Sequence, residues 1–546
     1  MRHTTIQSWG NACVKGKKQA RRRVYAVLTP CVLAVSLAVS MPAAAGAAFT
    51  GQDGRELLTV ETEAGTGAQG WKDGAADLAD LGRVGSVLIL SDGGLLFSDL
   101  DNHSIRLLKN GEVTTLAGLA YPWTKGAGGR PEGAFLDGAG RLALFHSPAG
   151  LTAAADGTVY VADSGNHAIR RISPDGTVTT TAGHGLPGSK DAKGPLASFN
   201  APQDVAAAAD GSIYVADTRN HLIRRIAPDG NVTTLNAAPS RTVTVGGDTL
   251  PAGDYRDGPL AGALFNEPAG LALDSKGNLY VSDSGNGLIR YIDFGSGTVS
   301  TVAGAFSSGA YEETGLYAKG ACADGLTLSA RFNRPAGLTW SEAEGLLIAD
   351  SGNHVIRRLA GKLVTTVAGS SEGLSGNADG TEKSALFNAP ADVAYSAAND
   401  KIWIADAGSR LVRSLRPFAL PAGVPSAGGL SLVIDGRALS GSSAPVLVNG
   451  KLMVLLRQAA DELGYRVAAG VNGEISLSRG DRSISMKPGS SSYRIQEGQE
   501  MKTLSAEDVP VLLGGRLYVP VRTFGSLVGA DVEWLQEAKT AVIRSK

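Results

Sequence analysis

The sequence predicts a mainly β fold, in which a six-bladed β-propeller is followed by a small α+β domain. Three observations support this prediction: a unit of four short strands recurs along the chain, an N-terminal strand matches the outer strand of that unit, and the pattern changes after a Pro- and Gly-rich segment. The composition agrees, because 72 of the 546 residues are Gly and aromatic residues make up only 6%. This balance suits short strands joined by tight turns better than a helical bundle.

The first 47 residues have the three-part pattern of a secretory signal peptide. Basic residues end at Arg23, an apolar run covers residues 24–39, and small residues lead to a cleavage site near Ala47. An uncleaved membrane anchor is the alternative interpretation. Without residues 1–47 the chain has 44 basic and 52 acidic residues, a net charge of −8, which argues against a general nucleic-acid-binding protein.

Cys322 is the cysteine that remains after residue 47. Neither an intrachain disulfide nor a cysteine-based zinc site is therefore expected. Beyond the signal peptide no stretch approaches the ~20 apolar residues that cross a bilayer. These features predict a secreted, extracellular or cell-envelope protein with no transmembrane segment after signal cleavage.

A 14-residue segment recurs along the chain and indicates the architecture. Residues 159–172 (VYVADSGNHAIRRI) have further copies at 95–108, 213–226, 279–292, 346–359 and 402–415. An Ala/Val/Leu-rich strand precedes each copy and a Thr/Val strand follows most of them, so each unit contains four short strands joined by hairpin turns. Six such units predict a six-bladed propeller, whereas a solenoid would need capping ends.

Residues 57–65 are predicted to close the ring. The sixth unit ends near Arg416, before a fourth strand, and residues 57–65 match the outer-strand pattern of residues 177–183. Pairing of the two chain ends would remove the exposed sheet edges. We therefore assign residues 48–416 to the propeller.

The Asn-His-x-Ile/Leu-Arg core of the repeat, as in residues 166–170 (NHAIR), resembles the NHL repeat of six-bladed propellers. The resemblance covers about residues 57–416. Blade four has Gly287 in place of His, and blade six has Ser409-Arg410 in place of Asn-His. These departures argue against any role that needs a histidine on every blade.

A different module follows the repeats. Residues 417–429 are rich in Pro and Gly and predict a linker, and residues 430–546 contain two similar halves of hairpin, helix and strand. The second half, with residues 519–522 (VPVR), resembles the copper amine oxidase N-terminal-like domain, also called the stalk domain. All seven histidines precede this module and the chain has no Asn-Tyr pair, so its residues favour neither copper binding nor amine oxidase activity. The resemblance implies a non-catalytic extracellular module that spaces or attaches a partner domain.

An aspartate, in most blades followed four residues later by a histidine, recurs between the second and third strands. Such a pair is a potential general base or metal site. Each pair lies on a different blade, however, and repetition favours a structural role in which the aspartate accepts loop N–H groups and meets the following arginine. The residues concerned are Asp99, His103, Asp163, His167, Asp217, His221, Asp283, Asp350 and His354.

Two carboxylates are predicted at the mouth of the central channel. Asp204 and Asp392 begin the inner strands of blades three and six, which lie opposite each other in a six-bladed ring. The other blades carry glycine there, which we assign to Gly85 in the first blade. Six-bladed lactonases and lyases bind calcium or zinc near this axis, so the two aspartates are candidate metal ligands. Calcium usually has more oxygen ligands than two carboxylates supply. Calcium at the propeller axis is nevertheless the one cofactor that the sequence suggests.

Long insertions at residues 119–135, 236–257 and 305–324 enlarge the face that carries the Asn-His loops. Aromatic residues on loops over a rigid scaffold are typical of protein and carbohydrate binding surfaces. The alternative is that these rings pack on each other. The candidate binding residues are Tyr121, Trp123, Tyr255, Tyr311 and Tyr317.

These features predict a secreted or cell-envelope-associated, non-enzymatic binding or scaffold protein. The propeller face with the long insertions would recognise an extracellular protein or glycan. The C-terminal module would associate with the envelope, with the cell wall as one partner, and no nucleic-acid partner is expected. The alternative is an extracellular metal-dependent hydrolase or lyase. The G-x-S-x-G match at residues 369–373 and the phosphate-loop-like residues 183–190 are set aside, because neither precedes a predicted helix.

Overall fold

The computed structural model describes residues 49–52, 54–118, 132–306, 311, 315–422, 424, 429–439, 444–536 and 538–545. The predicted signal peptide, Tyr121 and Trp123 lie outside the described residues. The described residues all belong to one compact unit. No helix among them has the length and apolarity needed to cross a bilayer.

Six antiparallel sheets in the described part of the chain carry the repeated units, each with its first long strand innermost. Blades one and two contain β2 (Gly74–Ala75), β3 (Val84–Ile89), β4 (Leu95–Asp99), β5 (Ser104–Lys109), β6 (Glu112–Ala117), β7 (Gly138–Ala139), β8 (Pro148–Ala153), β9 (Val159–Asp163), β10 (Ala168–Ile172) and β11 (Thr177–Ala182). Blade three contains β12 (Asp204–Ala207), β13 (Ile213–Asp217), β14 (Leu222–Ile226) and β15 (Val232–Thr234), and a separate hairpin, β16 (Thr242–Val245) and β17 (Asp248–Pro251), follows it.

The remaining blades repeat this order. Blades four and five contain β18 (Gly258–Pro259), β19 (Pro268–Leu273), β20 (Leu279–Asp283), β21 (Leu288–Asp293), β22 (Thr298–Ala303), β23 (Gly325–Leu326), β24 (Pro335–Ser341), β25 (Gly345–Asp350), β26 (Val355–Ala360) and β27 (Leu363–Ala368). Blade six contains β28 (Gly380–Thr381), β29 (Pro390–Ser396), β30 (Lys401–Asp406), β31 (Leu411–Pro417) and the N-terminal strand β1 (Leu58–Ala64). The predicted mainly β propeller class is confirmed by these sheets.

The two ends of the propeller meet in blade six. Strand β1 pairs antiparallel with β31 on one side and with β28 on the other. The backbone N–H and the hydroxyl of Thr62 in β1 both donate to Asp379, as those of Thr180 in the outer strand of blade two donate to Asp137. The N-terminal strand therefore occupies the place of a fourth strand.

The propeller core lies in the seams between blades. At each of five seams a phenylalanine packs against apolar residues of both neighbouring sheets, as Phe145 packs against Leu96 and Ile105 of blade one and Val161 of blade two. The hydrophobic effect thus holds neighbouring blades together through side chains, whereas backbone hydrogen bonds run within each blade. The phenylalanines are Phe145, Phe199, Phe265, Phe332 and Phe387.

The C-terminal domain combines two helices with three further sheets in its described residues. Its elements are β32 (Ser431–Ile434), β33 (Arg437–Leu439), β34 (Val446–Val448), β35 (Lys451–Leu455), α1 (Leu456–Glu462), β36 (Arg466–Ala469), β37 (Ile475–Arg479), β38 (Arg482–Met486), β39 (Ser492–Glu497), β40 (Glu500–Ser505), β41 (Val511–Leu513), β42 (Arg516–Pro520), α2 (Val521–Val528), β43 (Asp531–Leu535) and β44 (Thr540–Arg544). The first strand β32 pairs parallel with the last strand β44, and Phe524 of α2 lies with Tyr493 in the core. The predicted α+β class is therefore confirmed here as well.

Candidate functional site

Each blade contains a buried ion pair between its second and third strands. In blade two, Arg170 Nη1 lies 2.7 Å from Asp163 Oδ2, and both side chains are fully buried. Arg170 Nη2 lies 2.8 Å from Asp137 in the loop that enters the blade. The equivalent buried pairs are Asp99–Arg106, Asp163–Arg170, Asp217–Arg224, Asp283–Arg290, Asp350–Arg357 and Asp406–Arg413.

The carboxylate of Asp163 also organises the loops around it. Asn166 Nδ2 donates to Asp163 and to the carbonyl of Ala134, and the backbone N–H of His146 donates to the second carboxylate oxygen. Burial raises the pKa of Asp163 to about 6, against the opposing influence of Arg170 and these hydrogen bonds. The side chain is thus occupied by partners within the fold, and the group remains ionised at neutral pH.

The histidines of the repeat bridge neighbouring blades. His167 has a left-handed backbone with φ 51°, and its Nδ1 accepts the backbone N–H of Ala201 in the next blade at 3.0 Å. His103, His221 and His354 accept the N–H groups of Ser147, Glu267 and Ala389 in the same way. An imidazole accepts at Nδ1 only when that nitrogen carries no proton. Within one loop the aspartate therefore pairs with an arginine of its own blade, whereas the histidine contacts the next blade.

Aspartates at the outer rim of the blades, which are not among the sequence-predicted site residues, also contact the repeat arginines. Asp137 accepts both the N–H and the hydroxyl of Thr180 as well as a guanidinium nitrogen of Arg170. A signal for these residues exists, because an aspartate lies eight residues before the phenylalanine that opens each of blades two to six. The arginine of the repeat thereby joins the second strand to the outer strand.

Asp204 and Asp392 line the central channel, where a cavity of about 220 Å³ also contacts Leu271 and Trp340. Asp204 Oδ2 accepts the N–H of Leu271 at 2.8 Å, and Asp392 Oδ2 accepts the hydroxyl of Ser86 at 2.7 Å. Each carboxyl group therefore reaches from its own blade to the inner strand of the next. Burial raises the pKa of Asp392 to about 6, and burial together with the charge of Asp392 raises that of Asp204.

The assignment of Gly85 to the channel mouth of the first blade is wrong. Val84 pairs with Asp99 and Val87 pairs with Phe97, so the strand has an irregularity between them. In this register Ser86 takes the place held by Asp204 and Asp392 in their blades. Its hydroxyl contacts Asp392, and this contact explains why the position is polar.

Steric crowding explains why glycines lie beside the two carboxyl groups. A Cβ atom on Gly150 would lie 2.1 Å from Asp204 Oδ1, and one on Gly337 would lie 2.0 Å from Asp392 Oδ1. Among the described residues, no group of three or more His, Cys, Asp or Glu side chains is placed to hold a metal ion. At the channel axis, Asp204 and Asp392 are the described carboxylates that could bind a cation, and their oxygens already accept hydrogen bonds.

The described aromatic candidates are covered by neighbouring side chains. The rings of Tyr255 and Phe306 lie 4.4 Å apart, and the guanidinium of Arg241 lies 3.9 Å from the ring of Tyr311. The hydroxyl of Tyr317 donates to Glu267. All three tyrosines are half-buried, so they support the loops of this face and do not form an open aromatic platform.

The predicted insertion at residues 236–257 forms the exposed hairpin β16–β17, which holds none of the candidate binding residues. Every residue of β17 is exposed, and exposed residues alternate with half-buried ones in β16. Arg241 holds its base, because Nε donates to the carbonyl of Gly253 at 2.6 Å and Nη1 donates to the carbonyl of Gly315. The loops that enter blades four and five are thereby joined into one surface, which we call the loop face.

Comparisons with known families agree with this architecture. The NHL repeat model matches residues 145–172, 199–226 and 265–290, and the copper amine oxidase N-terminal domain model matches residues 433–543. The chain carries NHL repeats and a copper amine oxidase N-terminal domain. The resemblance to both families is confirmed, and the matched NHL repeats fall on blades two, three and four.

Several known proteins are similar to part of this chain. NHL repeat-containing protein 2 from Bos taurus is 28% identical over 368 residues, which cover 64% of this chain and 48% of the relative. The chain thus spans about half the length of that protein. Virginiamycin B lyase from Nocardia farcinica is 30% identical over 128 residues, 23% of this chain and 40% of the relative. An auxiliary nutrient binding protein from Bacteroides thetaiotaomicron has a TM-score of 0.46 and 16% identity, over 66% of this chain and 76% of that chain.

Proposed function

We propose that the protein is a non-catalytic binding protein, secreted or held at the cell envelope, whose loop face recognises an extracellular protein or glycan. The observation that carries the proposal is the hairpin β16–β17, which exposes both strands while Arg241 fixes its base. Exposed loops on a rigid β scaffold are the usual form of such binding surfaces. The signal-peptide pattern of residues 1–47 supports export.

The polar residues of the repeat support a binding function over an enzymatic one. The buried aspartates and arginines hold loops and strands, and the histidines hold neighbouring blades. Asp204 and Asp392 are the candidates for the hydrolase or lyase alternative. Their oxygens already accept hydrogen bonds from adjacent inner strands, so a cation would have to compete with these contacts.

The C-terminal domain supplies a second surface for the proposed envelope association. Its sheet β36–β40 ends in β40, in which five of six residues are exposed, and Met501 is 68% exposed. Such an open strand can contact a large insoluble partner without disturbing the loop face. We therefore assign ligand recognition to the propeller and envelope contact to this domain.

Co-sedimentation of the chain from residue 48 with isolated cell walls and with washed whole cells tests the proposal. With isolated walls, which the C-terminal domain is assigned to contact, we expect the unmodified chain and a variant with alanine at Thr244, Thr249 and Leu250 of the hairpin to sediment alike. With whole cells, whose surface also carries protein and glycan ligands for the loop face, we expect this variant to sediment less. A matched control carries alanine at Thr179, Thr233 and Leu363, which are exposed outer-strand residues of the same types. Equal sedimentation of the two variants with whole cells would refute the loop-face assignment, and failure of the unmodified chain to sediment with walls would refute the envelope assignment.

A further inference from the structure

We propose that the C-terminal domain is a latch that keeps the propeller ring closed. Three parts of the chain meet at one place: the closing strand β1, the outer rim of blade six, and β44 at the end of the C-terminal domain. The latch does not depend on what the loop face binds. In this role the C-terminal domain stabilises the propeller of its own chain.

A buried ion pair joins the propeller to the C-terminal domain. Glu382 of blade six and Arg544 of β44 are each 5% exposed. Arg544 Nη1 donates to Glu382 Oε2 at 2.9 Å and Nη2 donates to Oε1 at 3.1 Å. Nη2 also donates to Asp531 of the same domain at 2.6 Å. A two-point contact of this kind is both strong and directional.

The same two side chains hold the backbone of the closing strand. The N–H of Leu58, the first residue of β1, donates to Glu382 Oε2 at 3.0 Å. Arg544 Nη1 donates to the carbonyl of Leu58 at 3.3 Å. The acid and the base of the pair therefore each contact one backbone group of the residue where β1 begins. Release of β1 from blade six would break both contacts.

An apolar cluster extends the contact. Leu57 and Phe418 of the propeller end pack against Val433, Leu535 and Val542 of the C-terminal domain. The N–H of Phe418 donates to the carbonyl of Leu57 at 2.8 Å. At this end, the predicted linker is thus part of a hydrophobic core, and burial of its aromatic ring favours the docked arrangement.

Blade six is specialised for this contact. Glu382 lies five residues before the phenylalanine that opens its blade. The other blades have no carboxylate at that position, and their residues are Ala76, Gly140, Gly194, Leu260 and Thr327. The acidic residue therefore occurs only where the two chain ends meet and the C-terminal domain docks.

Ring closure explains why such a latch is useful. Blade six is held together by a strand from the other end of the propeller, so the ring can open when β1 separates from β31. Opening would expose the edge of β31, and exposed strand edges pair with other chains. A domain that grips both β1 and the rim of blade six opposes this separation, because both contacts must break together.

Hydrogen exchange followed by mass spectrometry on the full chain tests the latch. In Arg544→Met and in the milder Glu382→Gln, we expect the amides of β1 to exchange about tenfold faster or more. The outer strand β11 of blade two, which lacks a latch, serves as the internal reference and should not change. Arg437→Met is the matched control, because it removes an exposed arginine paired with Glu462 of the same domain.

Unchanged exchange in β1, or an equal increase in β1 and β11, would overturn the proposal. A second measurement does not depend on how well the variants fold. A protease site placed between residues 424 and 429 allows the folded chain to be cut, and the two fragments are then separated by gel filtration. With the ion pair and the apolar cluster intact, we expect the two fragments of the cut chain to elute together, and their separation would overturn the proposal.

Discussion

Arg170 and Asp163 form an ion pair in which neither side chain is exposed to solvent. Removing two charges from water is costly, and the attraction between them compensates only when the remaining hydrogen-bonding groups are satisfied. Here Asn166 donates to the carboxylate, the carbonyl of Leu144 accepts from Nη1 of Arg170, and the ring of Phe145 lies 5.0 Å from the guanidinium. Nε of Arg170 is the exception, since it is buried with no hydrogen-bond partner among the described residues. The pair therefore specifies how the second and third strands and the incoming loop meet.

Replacing Asp163 by Asn is expected to lower the free energy of unfolding by about 3–5 kcal/mol, because Arg170 would remain buried without its counter-charge. Urea unfolding followed by circular dichroism measures the change. The matched control is Asp175→Asn in the exposed hairpin turn of the same blade, whose carboxylate contacts Ser173 and Thr177. A similar cost for both variants would contradict the assignment of the buried pair as a main support of the blade.

Repetition explains how much of the fold the sequence could predict. The aspartate, asparagine and arginine of the repeat keep the same spacing in five copies, and the sixth differs only by Ser409 in place of asparagine. Each copy must bury the same side chains between the same strands. A pattern that recurs for a physical reason can be recognised in a single sequence. The N-terminal strand could be predicted in the same way, because it matches the outer-strand pattern of the repeat.

Features that occur once could not be predicted in this way. Glu382 and Arg544 are 162 residues apart, and no local pattern links them. The composition of residues 417–429 indicated a linker, although Phe418 packs into a core whose other members lie far away in sequence. The channel-mouth position of blade one was also misassigned, because Val84 stands where the other five blades have the proline that marks the start of the inner strand.

Stability is expected to fall in mild acid because of His221. Burial, with a contribution from the charge of Arg241, lowers the pKa of His221 from 6.5 to about 4. The unfolded chain therefore binds a proton at this residue below about pH 6.5, whereas the folded protein does not until about pH 4. His221 therefore makes its full contribution to the free energy of unfolding above pH 6.5. This contribution, about 1–3 kcal/mol, is lost progressively as the pH falls toward 4.

Urea unfolding at pH 7 and at pH 4.5 checks this expectation with His221→Gly. Glycine is a fair replacement, because Gly287 occupies the same left-handed position with φ 63° in blade four. The variant should be less stable than the unmodified protein at pH 7, and the difference should narrow at pH 4.5. His184→Gly, at an exposed histidine, is the control. A difference that stays constant or widens in acid would show that Nδ1 of His221 does not accept the bond from Glu267.

Removal of divalent metals is expected to leave the melting temperature unchanged. Asp204 and Asp392 already accept hydrogen bonds from Leu271 and Ser86, and calcium requires more oxygen ligands than two carboxyl groups supply. The measurement is Tm with a chelator, and with added calcium or zinc, for the unmodified protein and for Asp204→Ala. Asp210→Ala, in an exposed turn of the same blade, is the control. Stabilisation by metal that disappears only in Asp204→Ala would favour the hydrolase or lyase alternative.

The closing strand β1 is expected to contribute as much to the free energy of unfolding as the outer strand of another blade. Thr62 of β1 and Thr180 of β11 make the same two hydrogen bonds, to Asp379 and Asp137 respectively, with all four distances between 2.9 and 3.0 Å. Thr62→Val and Thr180→Val each remove the hydroxyl bond and retain the shape, so each should cost about 0.5–1 kcal/mol. Urea unfolding of the two variants side by side compares them. A measurable cost for Thr180→Val with none for Thr62→Val would mean that β1 is not paired in blade six in solution, and the closed ring would have to be abandoned.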